Sequence, residues 1–92
     1  MSIKRRAAKR DKNEAEIVFA LRQAGADVIQ LSDKGVPDLL VGYKNRNFLI
    51  EVKTDKGKLT PDQTDFFTMW TGQVAVVRTI EEALSVIYHT RI

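Results

Sequence analysis

The sequence predicts an α/β domain: one mixed four-stranded sheet flanked by helices, in the order α-β-β-β-α-β-α. Three observations carry this prediction. Segments of helical period alternate with short strand-like segments along the chain. Two apolar runs, 39–43 and 48–52, flank the polar stretch Lys44-Asn45-Arg46-Asn47 in the manner of a hairpin. A capped helix then separates the second run from a further apolar run at 74–77, and a strand, crossover helix and parallel strand form one right-handed unit.

The first helix is expected to start at Asp11 or Asn13, each of which can cap it and has a glutamate three residues on, and to end near Ala24 with Gly25 as its stop. At about 100° per residue, Ile17, Val18, Leu21 and Ala24 form one apolar stripe. Glu14 falls near the middle of that stripe, whereas Glu16 points to solvent. Residues 26–31 alternate weakly and suit a first strand, closed by the turn Ser32-Asp33-Lys34-Gly35. Pro37 lacks an amide hydrogen and fits the start of the second strand, which puts Asp38 at a strand beginning.

Thr60-Pro61-Asp62-Gln63 carries three agreeing helix-start signals: a threonine cap, a proline in the first turn and a glutamine three residues after the cap. This second helix is expected to bury Phe66, Phe67, Met69 and Trp70 and to stop at Gly72. Val74 to Val77 has the continuous apolar character of a strand buried on both faces. Thr79 can cap a last helix through about His89, with Leu84, Ile87 and Tyr88 inward and His89 on the surface.

Ninety-two residues suit one domain with one modest core. No apolar run approaches the roughly 20 residues that cross a bilayer, and the charged amino terminus has no apolar signal segment, which points to a soluble, cytoplasmic protein without a membrane partner. Cysteine is absent and the single His89 cannot form a zinc site alone. Any metal would have oxygen ligands, which favours magnesium or manganese. The net charge of +3 divides unevenly. Residues 1–12 set Lys4, Arg5, Arg6, Lys9, Arg10 and Lys12 against Asp11, a balance of +5 that leaves −2 for the rest. Such an arm suits a phosphate backbone, and equally a solvated tail.

The polar residues of the hairpin concentrate the chemistry. Alternation puts Glu51 and Lys53 on one strand face, and a register that brings Asp38 beside Glu51 would converge two carboxylates with an ammonium next to them. Two close carboxylates repel, and a divalent cation relieves that. The plainer reading of Glu51 and Lys53 is a cross-strand ion pair on a wet face, and of Asp38 a turn aspartate. Glu14 has its own plain role as a first-turn acid or a capping-box partner for Asp11, and Gln63 as a capping-box residue. Lys56 and Lys58 lie in the polar loop just beyond, where a phosphate strand could be held.

Taken as an ordered set, Gly-Val-Pro-Asp38, Phe-Leu-Ile-Glu51-Val-Lys53 and Gly57-Lys58-Leu59-Thr60-Pro61-Asp62-Gln63 resemble the VRR-NUC branch of the PD-(D/E)XK nuclease superfamily. The first helix, with Glu14-Ala-Glu-Ile-Val and Gly25, also resembles the opening helix of archaeal Holliday junction resolvases. The resemblance runs from about Glu14 to Val77. It implies a restriction-endonuclease-like core in residues 13–92 behind a basic arm in residues 1–12, and metal-dependent cleavage of phosphodiester bonds. Small stand-alone members are similar to viral enzymes that act as homodimers on four-way junctions. Some related branches have tyrosine four residues after the glutamine; here it is Phe67.

On this reading Asp38, Glu51 and the Val52 carbonyl supply ligands to one or two Mg2+ or Mn2+ ions, which polarise the scissile phosphate and activate water. Lys53 would orient or deprotonate that water, or stabilise charge developing on phosphorus. Glu14 would reach the metal through a water or bind a second ion, and Gln63 would position the lysine or a phosphate oxygen. Lys4, Arg5, Arg6, Lys9, Arg10, Lys56 and Lys58 would contact DNA. The alternatives are a flap or general DNA nuclease of the same fold, a non-catalytic nucleic-acid-binding module, and an assembly protein using its aromatic helix.

Overall fold

A computed structural model describes residues 10–89. Three helices and four strands follow the expected order: α1 (Glu14–Gln23), β1 (Asp27–Gln30), β2 (Leu39–Tyr43), β3 (Arg46–Val52), α2 (Pro61–Met69), β4 (Val74–Val77) and α3 (Ile80–His89). The sheet order is β1-β2-β3-β4, antiparallel in its first two pairs and parallel in the third.

The hairpin is tighter than its polar stretch suggests. Strand β3 begins at Arg46, which leaves only Lys44 and Asn45 as the turn, with φ of 51° and 66°. A two-residue turn with both φ values positive matches the right-handed twist of the flanking strands, and asparagine tolerates that geometry. Arg46 and Asn47 are therefore strand residues. Leu39 pairs with Ile50, so the next position outward sets Asp38 against Glu51.

The core lies on one face of the sheet. Ile17, Val18 and Leu21 of α1 and Ala83 and Ile87 of α3 pack on Val28, Leu39, Val41, Phe48, Ile50, Val52 and Val77. Alternation explains the set, because paired residues across the strands point to the same side. Gly25 ends α1 with φ of 99°, and the Gly25 and Ala26 amides donate back to Arg22 and Leu21.

The other face is only partly covered, and here the structure departs from expectation. Helix α2 has no buried residue: Met69 is 76% and Trp70 48% exposed, with Phe66 and Phe67 half-buried. Phe66 and Trp70 stack on each other at 5.0 Å and overhang Leu40 and Leu49 across an open apolar groove. With α2 held off the sheet, β4 is an edge strand open on that side, and only Val77 is fully buried. The apolar run at 74–77 thus belongs to an edge, not to a strand covered twice. Tyr88 is also half exposed, with its ring edge-on to Tyr43 at 5.8 Å, and His89 is on the surface.

Candidate active site

The site lies where β2 begins and β3 ends. Asp38 precedes β2, held by two backbone contacts: its carbonyl accepts from the Leu31 amide at 2.7 Å and its Oδ2 from the Val52 amide at 2.8 Å. The second bond ties the aspartate to the residue whose carbonyl was expected to be a ligand. Opposite it, Glu51 is 2% exposed. Its Oε2 accepts from Gln63 Nε2 at 3.1 Å and faces Lys53 Nζ at 3.3 Å, while its Oε1 is buried and accepts from no donor. The register sets the Asp38 and Glu51 carboxyls side by side, near enough for their charges to interact.

That proximity shows in the electrostatics. Burial, then repulsion from Asp38, pushes the Glu51 carboxyl up to about 7 against the pull of Lys53. Burial also raises Asp38, opposed by the Val52 N–H and by Arg10. The ion pair between Glu51 and Lys53 is largely buried, with side chains 3% and 13% exposed, and not the wet-face pair of the plainer reading.

Gln63 serves two roles with its two amide ends. Its Oε1 accepts from the Thr60 amide at 2.9 Å and its backbone amide donates to Thr60 Oγ1 at 3.2 Å, a complete capping box. The same cap aims Nε2 at Glu51, so helix formation and site geometry are set by one side chain.

Glu14 is nearby but separate. It is 2% exposed, takes Gln30 Nε2 on its Oε2 at 2.8 Å, and sits 3.3 Å from Arg10. Burial raises its pKa, countered first by the Gln30 hydrogen bond. Among the described residues no three acidic or histidine side chains gather closely enough to hold one ion directly, and the shared neighbour of Glu14 and Asp38 is Arg10. Nor does a capping box link it to Asp11: the Asp11 contact is its carbonyl, which accepts from the Glu14 amide. Asn13, at the N-cap, makes no side-chain cap either; its Nδ2 donates to the carbonyls of Lys53 and Arg78 at 3.1 and 3.0 Å.

Of the residues expected to touch DNA, Lys4, Arg5, Arg6 and Lys9 lie outside the described residues. Arg10 lies on the acids, 3.5 Å from Asp38 as well as beside Glu14. Lys56 and Lys58 are exposed on the loop after Lys53. Arg78 holds that loop, donating from NH1 to the Thr54 carbonyl at 2.7 Å and the Gly57 carbonyl at 2.8 Å. Asn13, Gln30 and Arg78 have roles that the sequence reading did not assign. Gln30 was the most findable, because it occupies the inward alternation of β1 shared with Val28; nothing local marks Arg78.

The donor set fits a hard divalent cation in its minimal form. Two carboxylates with raised pKa and one buried carboxylate oxygen without a donor are groups that a small cation stabilises, and Mg2+ keeps waters in its other positions. A mixed sheet with an acid pair and a lysine at the end of its central hairpin defines a nuclease-type α/β domain of the restriction-endonuclease-like class. The sequence profile of the VRR-NUC domain matches residues 4–81, and the chain belongs to that family, a nuclease branch of the PD-(D/E)XK superfamily. A solved structure described as a VRR_NUC domain superposes with a TM-score of 0.70 at 24% identity, covering 88% of this chain and 100% of that one, a likeness of fold. No curated protein matches the chain.

Proposed function

We propose that this domain is a metal-dependent, structure-specific DNA endonuclease that cuts phosphodiester bonds in four-way junctions as a homodimer. The observation that supports it most is the buried Glu51 carboxylate set against Asp38, with Oε1 free of donors and Lys53 alongside. Asp38, Glu51 and the Val52 carbonyl would hold Mg2+ or Mn2+. When bound, the ion supplies Lewis acidity to a phosphate oxygen and lowers the pKa of water.

The chain's own groups do the rest. The Val52 amide and Gln63 fix the two carboxylates in orientation before substrate arrives. Lys53 Nζ, 3.3 Å from Glu51 Oε2, would orient the attacking water or stabilise charge on the phosphate as the bond breaks. Lys56 and Lys58, on a loop pinned by Arg78, bind the adjacent backbone phosphates, and the arm at 4–9 adds charge. Dimerisation follows from stoichiometry: one site cuts one strand, and symmetric incision of a junction needs two related by a two-fold axis.

The test is incubation with labelled four-way junction, flap and plain duplex in Mg2+ or Mn2+, with and without chelator, beside sedimentation at micromolar protein. The reading predicts chelator-sensitive products, most from the junction, and a dimer. Equal cutting of all three substrates favours the general or flap nuclease. Binding without products favours a non-catalytic module, the reading that the existing pairing of Arg10 and Lys53 with the acids supports. Junction resolution by a monomer would refute the dimer.

A further inference from the structure

The last arginine of the basic arm is spent on the acids. Arg10 NH1 lies 3.3 Å from Glu14 Oε2, 3.5 Å from Glu14 Oε1 and 3.5 Å from Asp38 Oδ1, while NH2 donates to the Leu31 carbonyl at 2.7 Å. Its side chain is 32% exposed, partly withdrawn from solvent. A surface ion pair would have one partner and no neutral anchor. Here the shortest contact is to a carbonyl, from the residue whose own amide bonds Asp38, so the guanidinium is seated by the backbone as well as by charge.

The acids are thereby divided into two sides. On one, Glu14 and Asp38 Oδ1 share Arg10, with Gln30 taking Glu14 Oε2 as well. On the other, Asp38 and Glu51 face each other with Lys53 on Glu51 Oε2, and Glu51 Oε1 has no donor. Only the second side has a buried acceptor left over. A planar guanidinium can engage two carboxylates and a carbonyl at once, a bridging geometry that an ammonium reproduces poorly.

We propose that Arg10 is a built-in cation that takes the place of a second metal ion between Glu14 and Asp38, so that each chain binds a single divalent ion, on the Asp38–Glu51 side. This rests on the metal-binding reading of the Asp38–Glu51 pair. It gives Arg10 a role distinct from the rest of the arm, and Glu14 a role as the carboxylate that seats Arg10, not as a ligand.

The test is calorimetric titration of the protein with Mn2+ in the absence of DNA. The wild type takes one ion per chain, Arg10→Gln takes two, and the Arg10→Gln, Glu14→Gln double variant returns to one. A wild type that binds two ions, or an Arg10→Gln protein that folds and still binds one with unchanged affinity, overturns the proposal while leaving the nuclease reading intact. Loss of all Mn2+ binding in the wild type, or binding unaffected by Asp38→Asn, overturns both. Should Arg10→Gln fail to fold, the electron paramagnetic resonance spectrum of the Mn2+-saturated wild type decides: an isolated-ion hyperfine pattern supports a single site, and the broadening of two coupled ions refutes it.

Discussion

Replacing Glu51 with glutamine removes the charge but keeps the shape, and its effect on the stability of the metal-free protein should depend on pH. In the folded chain the Glu51 pKa is raised from 4.5 to about 7. Between those values the folded state holds a proton that the unfolded state has released, so stability is greatest at low pH and falls as pH rises through the window. At about 1.4 kcal/mol per unit, the shift corresponds to about 3 kcal/mol lost by pH 8. Glu51→Gln mimics the protonated form at every pH and escapes most of that loss. Asp38 and Glu14 shift in the same direction and leave a residual slope. Denaturant unfolding in chelator should therefore find the variant close to wild type at pH 5 and about 1–3 kcal/mol more stable at pH 8. Parallel stability curves for the two proteins would refute the idea that Glu51 is a strained buried carboxylate.

Further outcomes follow from single contacts. Mn2+ added to the wild type at pH 8 should raise its unfolding midpoint and do so far less in Glu51→Gln, measured by thermal melts with and without chelator. Asn13→Ala leaves the Lys53 and Arg78 carbonyls without their shared donor and should destabilise the fold by about 1–3 kcal/mol in urea unfolding. Lys56→Ala with Lys58→Ala should weaken junction binding and reduce the slope of log affinity against log salt by about 1–2, read by fluorescence anisotropy.

Much of the architecture was readable because each element carried its own signal. The Thr60-Pro61-Gln63 start of α2 is one such case: threonine accepts, proline needs no partner and glutamine returns the bond. Alternation likewise revealed which hairpin residues share a face, and the register then set Asp38 opposite Glu51. What sequence could not supply was how closely helices approach the sheet. Phe66, Met69 and Trp70 are apolar at helical spacing, yet α2 overhangs the sheet without sealing it, a matter of loop geometry that periodicity does not encode. Long polar side chains were the other blind spot. Arg10 reads as one more charge in a basic run, and only the three-dimensional position of Leu31 and Asp38 directs it inward. Glu14 was recognised as inward-facing from its place on the α1 stripe, but its partners Gln30 and Arg10 depend on tertiary geometry.

The nuclease assignment is tested most directly by measuring cleavage and DNA binding together for purified Asp38→Asn and Glu51→Gln in Mg2+. Both variants should bind a four-way junction nearly as tightly as wild type, since phosphate affinity comes from the lysines and arginines, while strand cleavage falls by at least several orders of magnitude. Products formed by either variant at a rate near that of wild type would contradict the claim that this pair of carboxylates is where the phosphodiester bond is broken.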